Sequence, residues 1–427
     1  MTALFEQYYE TLSNNNNHDN LMLLFISFLH SKHINNKKKK ELHSRYAKRF
    51  FRQLSLYERQ RRRRKIPRCC LQLPSQSAWR TLYESVDDQG LITLTGFDHM
   101  SFHWLLQRFA PLYENTSPYI SNDGTIQRKE NPKKGRPRLL KPEDCLGLAL
   151  AWTRTRGSQI ALQMIFGITG TPLDVYIKYS RRILIHILKR DDLAKVALPD
   201  DNSVREFQAA IQRKHPHLDG VWSTMDGLKL YLEVASDEDK QNMFYNGWKC
   251  DHYVVSVFVF APDGTIPICT LNVPGSQHDS IVAEWGRIYE KLEKVYNSVG
   301  GKCVVDSAFS QLRNDYLVKS GQTGLRGETR EEIRRNIMIE KEATAVRQTA
   351  EWGMRAMQSS FPRIKDRLSY EERGERRLIL TLCVLLFNVR ARLVGINQIR
   401  NTYMPHLNAD ANERFVLPLV PTIMQNR

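Results

Sequence analysis

The spacing of apolar residues divides the chain into three stretches. Residues 1–75 show no sustained period. They contain the low-complexity run "SNNNNHDN" and a segment dense in Lys and Arg with aromatics between them, so a basic, partly disordered or helical arm is expected. Over 76–195 the period is helical. "HMSFHWLLQRFAPLY" reads as one amphipathic helix, and Pro142 followed by Glu143 and Asp144 marks the start of another. From 219 to 400 the period switches. "GVWSTMDGLKLYL" is a strand running past an acid, and "HYVVSVFVFAPDGTIPICTLNVPGS" is a hairpin turning at Pro262-Asp263-Gly264. "HDSIVAEWGRIYEKLEKVYNSV" is then an amphipathic helix, and "GKCVVDSAF" a buried strand. The stretch 330–368 is helical, and "GERRLILTLCVLLFNVRARLVGINQIRNTY" is a core helix interrupted by charge before it reaches membrane length. Residues 401–427 form a tail.

Composition narrows the function classes. The formal charge is +17 and the pI about 9.5, a bias that suits a polyanionic partner such as nucleic acid. The seven cysteines are odd in number and scattered, with no Cys-x-x-Cys pair, so neither a zinc site nor a disulfide framework is expected. Reduced thiols fit the nucleus or cytosol. The amino terminus lacks the pattern of a signal peptide, and no membrane partner is expected. The runs "KKKK" and "RRRRK" suit nuclear import, phosphate contact or a merely solvated surface.

Two segments carry DNA-binding grammar. In "SQIALQMIFGITGTPLDVYIKYSRRILIHIL" a short helix ends at Gly167 and a second begins around Pro172. Read as a helix-turn-helix, it would present Lys178, Arg181 and Arg182 to a major groove. Read plainly, it is a helical hairpin of any α domain. "KKGRPR" resembles an AT-hook core, placing Arg136 and Arg138 in a narrow minor groove; so short a motif also arises by chance.

Three acids carry the chemistry. Asp226 sits on the first strand, Asp306 ends the strand "KCVVD", and Glu351 lies in the helical stretch after it. Singly, an Asp at a strand end is a turn residue and a Glu among arginines is a surface ion pair. In this order, on these elements, they resemble the layout of a ribonuclease-H-like nuclease core: a mixed sheet with flanking helices, behind an all-α helix-turn-helix region. Three carboxylates so placed hold two divalent metals about 3.5–4 Å apart for phosphodiester cleavage. Mg²⁺ suits an all-oxygen donor set, with Mn²⁺ as the alternative. Glu340 and Glu342 rival Glu351; the apolar face Met354, Met357, Phe361 favours Glu351.

The blocks "STMDGLKLYL", "GSQHDSIVAEW", "VVDSAF" and "RQTAEWGMRAMQSSFPRI" resemble successive blocks of the DDE nuclease domain of PIF/Harbinger-type transposases and the nucleases derived from them. The resemblance covers about 140–400. It implies Asp226, Asp306 and Glu351 as catalytic, metal-binding acids and Asp279 as a further metal residue, with a helix cap as the other role for Asp279. It also implies DNA as substrate, a Myb-like protein partner and a homo-oligomer. Two blocks depart from the family: "DSAF" stands for Asp-Ser-Gly-Tyr, and "EWGMRAM" lacks the Arg directly after Glu. The interval from Asp306 to Glu351 (351 − 306 = 45 residues) implies an inserted loop. The rival functions are a domesticated factor that binds DNA or protein without cutting, and an RNA-directed nuclease of the same fold.

Overall fold

A computed structural model describes residues 66–118, 138–234, 238–309, 315–321, 329–369 and 373–407, together with residues 45, 48 and 52. The chain divides into two compact units, residues 1–71 and 72–427. In the first, Arg45, Lys48 and Arg52 are helical and exposed, and Arg68–Cys70 forms a 3-10 turn. The remainder of residues 1–65, both charge runs included, and the tail from residue 408 lie outside the described residues.

The second unit opens with helices whose starts were written in the sequence. Ser77, Asp87 and Asp98 each accept a backbone N–H at the start of α1 (Ala78–Ser85), α2 (Asp88–Thr95) and α3 (His99–Asn115). α4 (Pro142–Arg154) is buried from Asp144 to Thr153. α5 (Ile160–Phe166) ends at Gly167, which takes the left-handed conformation at φ 65°. After a sharp turn, α6 (Gly170–Leu188) leaves at 89° to α5. The two helices expected around Gly167 are thus present. α6 is a core helix, however: ten of its residues are buried and it packs against α4 and α12 (Arg373–Leu393). α7 (Asp201–Gln212), which the apolar period did not announce, leads into the sheet and packs on its first strand.

That sheet has β1 (Val221–Tyr231) at its centre. β3 (Asp251–Phe260) runs antiparallel to β1 along most of its length, and β4 (Ile268–Pro274) runs antiparallel to β3. On the other side β5 (Lys302–Val305) and β6 (Leu317–Lys319) continue parallel. The short β2 (Tyr245–Asn246) pairs with the start of β3, after α8 (Glu238–Phe244). β1 and β3 are buried on both faces, which is why their side chains read as near-continuous apolar runs.

Two expected helices are broken. The stretch 278–299 forms α9 (Asp279–Trp285) and α10 (Ile288–Val299). At the break Gly286 lies so close to β4 that an added Cβ would stand 1.5 Å from Thr270 Oγ1, and Arg287 adopts φ 52°. The last helix likewise splits into α12 and α13 (Gln398–Tyr403), where Gly395 takes φ 70° and Asn397 caps the new start. Between them in sequence, α11 (Arg330–Ser360) crosses β1, β3 and β5 as one helix of 31 residues. Its start is a capping box in which Thr329 and Glu332 satisfy each other's backbone N–H groups. The apolar middle of α12 lies in the core against α6 and β4.

Candidate active site

The site forms where β1 outruns its parallel neighbour. The register pairs Ser223 with Cys303 and Thr224 with Val304, and β5 ends at Val305. Continued one residue for one, it sets Asp226 opposite Asp306, on strands roughly 4.8 Å apart. Asp226 lies inside the strand, paired with Phe258 on β3, whereas Asp306 opens a turn whose Phe309 N–H donates to its carbonyl at 3.1 Å. Open sheets bind ligands in such crevices, beyond the carboxyl ends of parallel strands.

A third acid enters from α9. Asp279 is its first residue, and its carboxyl group lies directly over the backbone of Gly227: a Cβ there would stand 2.9 Å from both the carboxyl carbon and Oδ2. Only glycine leaves room for this approach. His278, immediately before, gives α9 no side-chain cap.

The electrostatics show the acids acting on one another. Burial pushes the Asp226 carboxyl up to about 6, and the charges of Asp279 and Asp306 push the same way, against the Gly227 N–H at 2.7 Å and the Arg347 guanidinium. Burial also raises Asp279; Asp306 adds to this, while Lys229 and His278 oppose it. Lys229, next-but-one to Gly227 on β1, lies 5.6 Å from the Tyr253 ring. Raised carboxylates crowded in a half-buried crevice mark a functional-site candidate.

Glu351 is connected to this group through Arg347. It lies between Arg347, 3.7 Å away, and Arg355, 3.8 Å away, one helical turn to either side. Its side chain is 38% exposed and both distances exceed hydrogen-bond length, so these pairs are weak. Glu342, a rival third acid, is committed elsewhere: it accepts the His217 backbone N–H at 2.9 Å and pairs with His217 Nδ1 at 2.7 Å. Arg347 was not singled out from the sequence. Its signal was present as an Arg one turn before Glu351, the i, i+4 spacing of a helical ion pair.

The expected DNA contacts are distributed differently. Arg181 is buried and bonds Glu375 of α12 at 2.9 Å, with its guanidinium 4.5 Å from the Trp152 ring. Arg182 bonds the same carboxylate at 3.1 Å. Arg138 donates to the Thr116 carbonyl and stacks 4.0 Å from the Tyr113 ring. These three arginines are internal ties between helices, which corrects their placement on a DNA-facing surface. An Arg amid apolar residues of a helix reads the same whether it meets phosphate or an interior acid. Lys178 is exposed on α6; Arg136 lies outside the described residues.

With the geometry fixed, comparison with known proteins supplies the class. Residues 225–388 match the family model of the DDE superfamily endonuclease. The matched stretch begins one residue before Asp226 and takes in Asp279, Asp306 and Glu351. No curated protein and no solved structure matches the chain. DDE superfamily endonucleases act on DNA and use divalent metals. Among the described residues, no three His, Cys, Asp or Glu side chains stand close enough together to hold a metal ion. The donor chemistry of the endonuclease domain nevertheless fits such an ion. Asp226, Asp279 and Asp306 offer hard oxygens whose mutual repulsion a cation relieves.

Proposed function

We propose that the protein is a divalent-metal-dependent DNA endonuclease of the Harbinger transposase type, with a ribonuclease-H-like core and Asp226, Asp306 and Glu351 as its catalytic acids. The observation that carries this reading is the register that sets Asp226, inside β1, opposite Asp306 just past the end of the parallel strand β5, with Asp279 against Gly227. A central β1 with an antiparallel neighbour, β3, on one side and a parallel neighbour, β5, on the other supports this reading.

In this reading Asp226 and Asp306 would hold the metal, Asp279 would add an oxygen from the helix side, and Glu351, held only by weak pairs with Arg347 and Arg355, would be free to join them. Mg²⁺, or Mn²⁺ in its place, supplies Lewis acidity at the phosphate and a water of lowered pKa. The chain's own part is positioning. Asp226 accepts the Gly227 N–H, which fixes one carboxylate oxygen. Lys229 and Arg347 stand beside the acids as cations for the non-bridging phosphate oxygens. Strand transfer reuses the site with a DNA hydroxyl as nucleophile. The reading extends to a nuclear location, helix-turn-helix contacts through Lys178, a Myb-like partner and a homo-oligomer.

The test is Mg²⁺-dependent cleavage of terminal-repeat DNA by the wild type, Asp226→Ala, Asp306→Ala and Glu351→Ala. The reading expects cleavage by the wild type only. Equal cleavage by all four removes the acids from the chemistry. Metal-independent DNA binding with no cleavage favours a domesticated binding factor.

A further inference from the structure

The helix that carries Glu351 has a solvent face whose charge differs from the rest of the helix. At about 100° per residue, the residues of α11 that fall within roughly 60° of the line through Lys341 include Arg330, Arg334, Lys341, Gln348 and Arg355. All five are exposed. Every charged residue in that band is a cation. The acids of the helix lie outside it. Glu332 closes the capping box, Glu342 is bound to His217, and Glu351 stands at the border of the band, about 80° from its centre. Arg334, Lys341, Gln348 and Arg355 recur every seventh residue, so they rise in one row at about 10 Å intervals.

The amino-terminal third of α11 is also less buried than the rest, touching the core through Ile339. No residue from Arg330 to Lys341 is buried, whereas Ala343, Val346, Thr349, Ala350 and Gly353 are. Among the described residues, Arg334 and Lys341 have no ion-pair partner. Two unpaired cations, Arg334 and Lys341, and the weakly paired Arg355 on one exposed row gain little for the fold, since exposed charges contribute within about 0.5 kcal/mol.

We infer that the Arg330–Arg334–Lys341–Arg355 face of α11 is a rail for the DNA backbone flanking the cleaved phosphate. Charge complementarity commits it to a polyanion rather than to a second copy of this cationic chain. The inference rests on the proposed endonuclease reading, and it adds where the duplex lies. Lys341 and Arg334 are ten and seventeen residues from Glu351, about 15 and 26 Å along the helix axis. On B-form DNA, at roughly 3.4 Å per base pair, the phosphates they neutralise lie about four and eight base pairs from the scissile one. Arg355, on the far side of Glu351, continues the contact past the cut. The contacts are to backbone, so they carry no sequence preference.

The test compares the full-length wild type with Arg334→Ala/Lys341→Ala. Measurements are binding to a terminal-repeat duplex and to a random duplex across 50–300 mM salt, with phosphate-ethylation interference on the same DNA. Two lost phosphate contacts lower the slope of log K against log salt by about 2 and weaken both duplexes alike, about tenfold or more at physiological salt. Ethylation interference about four to eight base pairs from the cut disappears in the variant. Both positions are exposed, so far-ultraviolet circular dichroism and Tm stay at wild-type values. Unchanged slopes and interference in a variant that still cleaves overturn the rail and leave the endonuclease reading standing. A wild type that neither binds nor cleaves overturns the endonuclease reading itself. A variant that binds DNA normally but sediments as a smaller species assigns the face to a second copy of the chain instead.

Discussion

Replacing Asp226 with Asn should make the metal-free protein more stable while removing its activity. The carboxyl moves from its ordinary 3.8 to about 6, first because it is buried and then because Asp279 and Asp306 face it. Two pH units at about 1.4 kcal/mol each make the folded protein roughly 2–3 kcal/mol less stable at neutral pH than it would be with a neutral group there. The sign follows from the direction. The folded state holds the proton more tightly than the unfolded chain, so Asp226 costs nothing below pH 4. The penalty grows as pH rises through about 6 and is complete by pH 7.5. Asn keeps the shape and still accepts the Gly227 N–H, but it never ionises. The assay is urea unfolding of both proteins in EDTA at pH 4.5 and 7.5. At pH 7.5 the midpoint of Asp226→Asn should lie about 1 M higher, for a slope of about 3 kcal/mol/M. At pH 4.5, between the two pKa values, the gap should shrink to about a third of that. With Mg²⁺ added, the wild-type midpoint should rise and the variant's should move less. An Asn variant less stable than the wild type at pH 7.5, or a gap that ignores pH, would refute the argument that crowded, buried acids are held together at the fold's expense.

Three further outcomes follow from single contacts. Gly227→Ala puts a methyl 2.9 Å from the Asp279 carboxyl, so it should cut Mg²⁺ affinity by about tenfold or more, read by isothermal titration, with a stability change under about 1.5 kcal/mol. Glu375→Ala leaves the Arg181 guanidinium buried without its carboxylate and should destabilise by about 3 kcal/mol in urea, while Arg182→Gln should leave DNA affinity near the wild-type value. Gly353→Ala drives a methyl to 2.5 Å from the Phe260 ring and should cost about 1–3 kcal/mol and lower cleavage through the shifted Glu351; the thermal unfolding midpoint and kcat together check this.

The strands and helices that bury a plain apolar face were legible from the chain. β1, the β3–β4 hairpin, α3 and the α5–α6 pair appear where the period placed them. The breaks in the helices after β4 and at the carboxyl end were not legible. Both depend on long-range contacts, Gly286 against Thr270 and a new cap at Asn397, which leave no mark on local periodicity. The strand acids could be placed on their elements because their order along the chain follows the order of elements. Their electrostatic coupling depends on the register between β1 and β5, which only three dimensions supply. The arginines of α6 illustrate the opposite limit. A cation on an otherwise apolar helix face is ambiguous until its partner is known, and here that partner, Glu375, lies almost two hundred residues away.

Gly353 has a bearing on how this protein can change over evolutionary time. With no side chain at that position, α11 rests its backbone against Phe260 of β3, two residues beyond Glu351. The depth of the acid over the sheet is set at this crossing, and the His217–Glu342 tie holds the helix a second time near the entrance to β1. Both anchors lie downstream of the stretch joining β6 to α11. Residues can therefore be gained or lost there without moving Glu351, since each doubling of the length joining two fixed elements adds only about 0.6 kcal/mol. Within the 45-residue interval between Asp306 and Glu351, β6 and α11 are held by the sheet, so variation in length is open only between Lys319 and Arg330, where it would change the surroundings of the acids without moving them.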